Sequence, residues 1–167
     1  MNTTAGAVVD KSPPKQLVSP ILETLIALVG TNHSSILTGI TLQDIGFRDS
    51  LSTYRSKWGV PSGGDWAMHR SAALFIENST NIQIQNCHFR RLDGNALLLA
   101  GYTRYVQIQK SVFEYIGQNA AGAWGNTTAW DGTAGMQPQY TTVKKCVFHD
   151  VGLFQKQSSA WFQAKSA

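Results

Sequence analysis

A phenylalanine recurs along this chain in one setting: Ile40-Thr-Leu-Gln-Asp-Ile-Gly-Phe47, Ile82-Gln-Ile-Gln-Asn-Cys-His-Phe89, Val106-Gln-Ile-Gln-Lys-Ser-Val-Phe113 and Thr141-Thr-Val-Lys-Lys-Cys-Val-Phe148. The four anchors stand 42, 24 and 35 residues apart, so a unit of 24 residues repeats, with extra segments of 18 and 11. An internal repeat constrains the fold more than any other feature, because each unit has to bury its apolar face against its neighbours. Seven and five residues before the anchor, three units carry apolar pairs: Ile40 and Leu42, Ile82 and Ile84, Val106 and Ile108. The fourth keeps only Val143, with Thr141 at the outer slot. This period of two marks a β-strand, with Gln43, Gln83, Gln85, Gln107 and Gln109 on the opposite face.

Three residues before each anchor stands Asp44, Asn86, Lys110 or Lys145, a polar residue where the chain can bend before a second strand. Turns follow at Leu92-Asp-Gly94-Asn95, Ile116-Gly117-Gln-Asn119 and Val151-Gly152, and further strands at Ala72-Ala-Leu-Phe-Ile76 and Ala96-Leu-Leu-Leu99. Short strands between Gly, Asn and Asp bends, repeating at about two dozen residues, are what a parallel β-solenoid needs. A leucine-rich repeat would show a Leu-x-x-Leu-x-Leu frame, which is missing, and an antiparallel sandwich does not require one residue type at one slot of every unit. The expected fold is all-β: a right-handed parallel β-helix of about four to six coils over residues 17–167, with two long loop insertions. Residues 1–16 are expected to form a flexible extension. The strand-like ending Ala160-Trp-Phe-Gln-Ala-Lys-Ser-Ala167 has no polar cap, which is expected of a segment of a longer helix whose remaining coils would pack next.

Charged residues are only 14% of the 167, below the usual quarter, as suits a β surface solvated by neutral polar groups. The net charge of +4 is spread out, the longest basic runs being Arg90-Arg91 and Lys144-Lys145. Nucleic-acid binding calls for a clustered stripe and is not expected; an anionic polysaccharide suits mild basicity equally well. Cys87 and Cys146 occupy one slot two units apart, with Ser111 between them, a separation of roughly 10 Å that argues against a disulfide. No apolar run is long enough to span a membrane, and Leu17 to Val29 is interrupted by Pro20 and Glu23. No signal sequence is evident in that stretch, but sequons at Asn2, Asn32, Asn78 and Asn126 tilt the expected location toward the secretory pathway and the extracellular space.

The two insertions, Ser52 to Arg70 and Gln118 to Gly132, are expected to leave the repeat on one side and to stack as neighbouring loops. Each combines tryptophan, carboxylate and glycine, the mixture of sugar sites, in which indole faces meet the apolar side of a pyranose and carboxylates meet its hydroxyls. For Trp58, Trp66, Trp124 and Trp130 singly, packing over the core is the better expectation, since aromatic burial dominates packing energetics; for the pair of loops the two readings weigh evenly. Glycoside hydrolysis needs two carboxyl groups roughly 5 to 10 Å apart, one protonated and one ionised. Asp65 and Asp131, each beside a Trp, lead as catalytic candidates; Asp93, in an Asp-Gly-Asn sequence that also forms turns, is the third. Trp66, Trp124 and Trp130 are the aromatic substrate-binding candidates, and His69, Arg70 and Lys156 could serve a lyase acting on a uronate. Stacking would set Arg90 against Glu114 as a surface ion pair. No carboxylate cluster is dense enough for a calcium cage, and His33, His69, His88 and His149 lack ligand spacing, so no cofactor is expected, calcium being the one ion a lyase on this scaffold could call for. Val60-Pro-Ser62-Gly-Gly64 lacks the first glycine of a nucleophile elbow.

The runs Val60-Pro-Ser-Gly-Gly-Asp-Trp66, Arg70-Ser-Ala-Ala-Leu-Phe-Ile-Glu77, Asn86-Cys-His-Phe-Arg-Arg-Leu-Asp-Gly-Asn-Ala96 and Phe113-Glu-Tyr-Ile-Gly117 resemble right-handed parallel β-helix proteins of the pectin-lyase-like superfamily. The pattern is similar to its β-helix glycoside hydrolases and to right-handed β-helix domain proteins. The resemblance spans about residues 17–167 and implies the fold more than the chemistry, since the superfold hosts lyases, hydrolases, esterases, epimerases and adhesins. The expected function is a carbohydrate-active module, part of an extracellular polysaccharide hydrolase or lyase. A non-catalytic glycan-binding or cell-surface adhesion β-helix is the alternative.

Overall fold

The computed structural model describes residues 17–60, 68–129 and 131–165, and over these the chain is all-β. The first unit contributes β1 (Ile26–Val29), β2 (Leu37–Thr38), β3 (Thr41–Gln43) and β4 (Gly46–Ser50), followed by a small hairpin of β5 (Trp58–Gly59) and β6 (Met68–His69). The second holds β7 (Leu74–Thr80), β8 (Gln83–Gln85) and β9 (His88–Leu92), and the third β10 (Leu97–Arg104), β11 (Gln107–Gln109) and β12 (Val112–Ile116). The fourth holds β13 (Ala121–Trp124), β14 (Thr142–Lys144) and β15 (Val147–Val151), and β16 (Trp161–Ala164) follows.

Each unit feeds one strand to each of three parallel sheets. The first sheet runs β1-β7-β10-β13-β16 with β2 also on β7, the second β3-β8-β11-β14 and the third β4-β9-β12-β15. Such an arrangement of parallel sheets is compatible with a parallel β-helix or β-solenoid. Register keeps equivalent residues level: Leu42, Ile84, Ile108 and Val143 form one row, and Phe47, Phe89, Phe113 and Phe148 another. The phenylalanine rings therefore stack inside the fold, with centroids 4.5, 4.5 and 4.9 Å apart and planes within 15°.

The polar residue before each anchor is the bend that separates the second sheet from the third. Asp44, Asn86, Lys110 and Lys145 all adopt left-handed backbone, φ 58, 50, 51 and 54°. A second left-handed set, Asp49, Arg91, Tyr115 and Asp150, lies two residues after the anchor, inside the strands of the third sheet. Non-glycine residues pay roughly 1–2 kcal/mol for this conformation. The neighbouring unit compensates by satisfying bend amides: Asp44 N–H donates to Gln85 O (3.1 Å), Asn86 N–H to Gln109 O (3.0 Å) and Lys110 N–H to Lys144 O (3.2 Å). The backbone amides of these three bends are thus satisfied by the next unit along the stack.

The first sheet differs from the other two in burying both faces, as the apolar runs of β7 and β10 require. Leu74, Ile76, Leu97, Leu99, Ala121 and Ala123 face the main core. Phe75, Leu98, Trp124 and Phe162 belong to a second cluster on the opposite face, where Trp58 and Met68 of the hairpin cover them. Close packing there depends on glycine. A Cβ on Gly122 would lie 2.0 Å from the Phe162 ring, and one on Gly59 would lie 2.8 Å from Trp124.

Two expectations about the insertions are corrected. Ala121–Trp124 is not loop but β13, a regular strand of the first sheet, because small residues there admit Phe162 and complete the buried face. The extra residues of the fourth unit therefore lie between β13 and β14, whereas those of the first unit lie between β4 and β7. The insertions leave at different corners and do not stack as equivalent loops. Arg104 anchors the second one: its guanidinium, over the Tyr102 ring at 4.2 Å, donates to the carbonyls of Gln137 and Gly135.

Candidate functional site

Where the third sheet hands the chain to the first, each unit makes a polar corner. Asn95 and Asn119 occupy equivalent positions in it and are 1% exposed. Asn119 Nδ2 and backbone N–H both donate to Asn95 Oδ1 (3.0 and 3.2 Å), and Ser159 N–H donates to Asn119 Oδ1 (2.9 Å). Asn95 Nδ2 donates in turn to the carbonyls of His69 (3.0 Å) and Ser71 (2.9 Å). A rigid column of amides therefore stands behind this corner, and Asp93 projects from it.

Two clefts meet at Asp93. One, of about 320 Å³, is lined by Val18, Pro20, Asp49, Ser50, Arg91 and Asp93; the other, of about 480 Å³, by Ser52, Tyr54, Asp93, Leu153 and Phe154. Asp49 lies in β4, and Asp93 follows directly after Leu92, the register partner of Ser50. One strand spacing and a two-residue offset put their backbones on the order of 8 Å apart. Ser50 is buried at 1% exposure, and its Oγ has no protein hydrogen-bond partner although it lines the polar cleft.

The two carboxyls are driven in opposite directions. Burial, reinforced by the charge of Asp49, raises Asp93 above the ordinary carboxyl value. Partial burial also pulls Asp49 upward, but hydrogen bonds and charge from Arg48 and Arg91 outweigh it and hold Asp49 below the ordinary value. Arg91 reaches it through Nε to Oδ1 (3.1 Å) and Nη2 to Oδ2 (3.2 Å), and Arg48 through Nε. Asp93 is thus the carboxyl that keeps its proton longer, and Asp49 the one that stays ionised.

A raised carboxyl pKa has a stability consequence. Below the unfolded value Asp93 is neutral in both states and neither helps nor harms; as pH rises through its folded value, burial of the charge lowers stability. Asp93→Asn should therefore unfold at a higher urea midpoint than the wild type near about pH 7, the gap closing near about pH 3. A gap of the same size at both values would show that the gain does not come from ionisation.

The other described sequence candidates are dispersed. Asp65, Trp66 and Trp130 lie outside the described residues. Asp131 is fully exposed, and hydrogen bonds from the Thr133 hydroxyl (2.7 Å) and amide (2.9 Å) hold its carboxyl below the ordinary value and fold it into a local turn. Trp124, 6% exposed, belongs to the second core cluster and presents no open ring face for a sugar. Arg70 is paired with Glu77 (2.9 Å) and lies over Trp124. His69 Nδ1 meets the Lys57 carbonyl (2.7 Å) and its Nε2 meets Glu23 (3.3 Å), so it ties the hairpin to the segment before β1. Lys156 donates to the Leu153 carbonyl (3.1 Å) beside the apolar cleft. Only Asp93 and Lys156 of the described candidates therefore fall at this corner. Asp49, Arg91, Tyr54 and Phe154, which line these clefts, were not among the sequence candidates; the first two belong to the left-handed set two residues after each anchor.

Elsewhere on the third sheet, Glu114 binds Arg90 (3.1 Å), His88 (2.9 Å) and His149 (3.1 Å), a charge ladder on an exposed face. Cys87 and Cys146 are free thiols, and burial raises the pKa of Cys87. Another cleft of about 430 Å³, lined by Ala123, Pro138, Tyr140, Thr141, Val143, Trp161 and Gln163, contains no carboxylate, histidine or cation. Among the described residues no group of three or more His, Cys, Asp and Glu could hold a metal ion. Compared with known proteins, the chain matches no family model, no curated protein and no solved structure.

Proposed function

We propose that the chain is a carbohydrate-active module built on a right-handed parallel β-helix of the pectin-lyase-like kind, and that the corner at Asp93 is its glycan site. The carrying observation is the pair of cleft-lining carboxyls with opposite pKa displacement, Asp93 upward and Asp49 downward. Environments that push two carboxyls apart separate a proton donor from a stabilising anion, the division of labour that glycosidic-bond hydrolysis requires. In this reading Asp93 protonates the leaving oxygen as the glycosidic C–O bond breaks, ionised Asp49 faces the positive charge that develops on the sugar ring, and a water adds to the anomeric carbon, its proton restoring Asp93. A hydrolase fits better than a lyase, because the cleft offers a proton donor and its arginine is already engaged by Asp49. An extracellular setting agrees with the sequons and with a polymeric substrate.

The alternative is glycan binding without turnover, favoured by the double arginine hold on Asp49, which also suits a structural ion pair. Incubation with neutral and acidic polysaccharides, followed by assay of new reducing ends, separates the two. The expected result is release by the wild type and a loss of about 100-fold in Asp93→Asn, the scale of a missing general acid. Binding without release would leave the adhesion reading standing; release that survives Asp93→Asn would move the site elsewhere on the molecule.

A further inference from the structure

The walls of the larger cleft are aromatic, exposed and firmly held. Tyr54 is 56% and Phe154 54% exposed, yet neither sits on a free loop. Next to Tyr54, Thr53 is buried: its hydroxyl donates to Gln118 Oε1 (3.3 Å), and a Cβ on Gly94 would lie 2.8 Å from that hydroxyl. Trp58 adds an edge contact to the Tyr54 ring at 5.8 Å and donates from Nε1 to the Tyr54 carbonyl (3.0 Å). On the other wall, Leu153, Phe154 and Gln155 donate from their backbone amides to the carbonyls of Ile116, Gly117 and Gly117 (3.1, 3.0 and 3.1 Å). The Phe154 ring comes so near Gly117 that a Cβ there would lie 2.8 Å away. Two segments about 100 residues apart in sequence are thus pinned to one corner, on either side of Asp93.

The charge of this cleft narrows its ligand. Its lining, Ser52, Tyr54, Asp93, Leu153 and Phe154, holds a carboxyl and no cation. Of the basic groups adjoining these segments, Arg91 is paired with Asp49, Lys156 donates to the Leu153 carbonyl and keeps its charge, and Arg55 is exposed beside Tyr54; none of the three lines the cleft. An anionic sugar seated between these walls would meet Asp93, with Asp49 behind it, and no cation of the lining itself. A neutral pyranose lays its C–H faces on the aromatic walls and its hydroxyls on Asp93 and Ser52, an apolar pocket with a few placed polar groups.

Building on the glycan reading above, we infer that Tyr54 and Phe154 form the walls of a subsite for a neutral pyranose unit, with uronate and sulfated units excluded. The test titrates the full chain with neutral gluco- and galacto-hexasaccharides and with the corresponding hexauronates, following the amide signals of Gly94 and Gly117. Neutral sugars should shift both signals and hexauronates should not, and Tyr54→Ala and Phe154→Ala should each weaken the neutral sugar at least tenfold. Tighter binding of hexauronates overturns the inference while leaving a glycan site in place. Binding of the neutral sugar unchanged in the double variant overturns it as well. If no hexasaccharide of either charge binds, both the subsite and the glycan reading fail; the comparison of charges on the wild type does not depend on how the variants fold.

Discussion

Phe113→Ala is expected to lower the unfolding free energy by about 4 kcal/mol, the scale of removing a fully buried aromatic ring. Phe113 is 0% exposed and stands between Phe89 and Phe148, so the substitution opens a void in the middle of the stack and breaks two ring contacts at once. Its backbone is clamped on both sides, since β12 pairs with β9 and with β15, so neighbouring strands cannot close the gap. Phe113→Leu, which keeps most of the volume, should cost less than half as much. Urea denaturation followed by tryptophan fluorescence measures both. Equal losses in the two variants would show that volume is not what the stack contributes. Because whole domains are stable by only about 5–15 kcal/mol, the alanine variant should be close to the limit of folding at 37 °C.

Asn95→Ala is expected to cost about 3 kcal/mol, although it removes a polar group from a chain whose stability is otherwise apolar. The side chain gives and receives four hydrogen bonds, to the His69 and Ser71 carbonyls and from the backbone and side chain of Asn119. Both asparagines are 1% exposed, and a buried group left without a partner costs about 1–3 kcal/mol. Hydrogen exchange should report the location as well as the size of the loss: the Asn119 amide should lose protection more than amides of β8 or β11, which the amide column does not touch. Uniform loss of protection would mean that Asn95 contributes only to global stability. Since Asp93 stands two residues away, the same variant should weaken any glycan turnover more than Phe113→Leu does.

The strands of the second and third sheets were legible because their periodicity is local. Gln83-Ile84-Gln85 alternates over three residues, and Phe89 follows a bend whose polar residue the repeat itself marked out. The first sheet was half legible: Leu97-Leu98-Leu99 reads as buried on both sides, but what covers Leu98 comes from Trp58 and Met68, brought there by the hairpin. The Ala121–Trp124 strand was read as loop because Ala-Gly-Ala carries no β signal of its own. Its pairing with β10 and the Phe162 ring make it a strand, as tertiary packing routinely overrides propensity.

The sequence by itself determined the repeat, its phenylalanine row and the parallel stacking of its units, because one residue type at one slot every two dozen residues leaves few other ways to bury it. Which of the described carboxyls has a raised proton affinity was decided only by the tertiary structure. Asp131, flanked by tryptophan and glycine, is fully exposed, and its hydrogen bonds with Thr133 lower its pKa; Asp93, in a turn-forming triplet, is raised by burial and by a carboxylate 44 residues away in sequence. Proton affinity is a property of surroundings, and those surroundings are built from Asp49, Tyr54 and Phe154, which only folding brings to one corner.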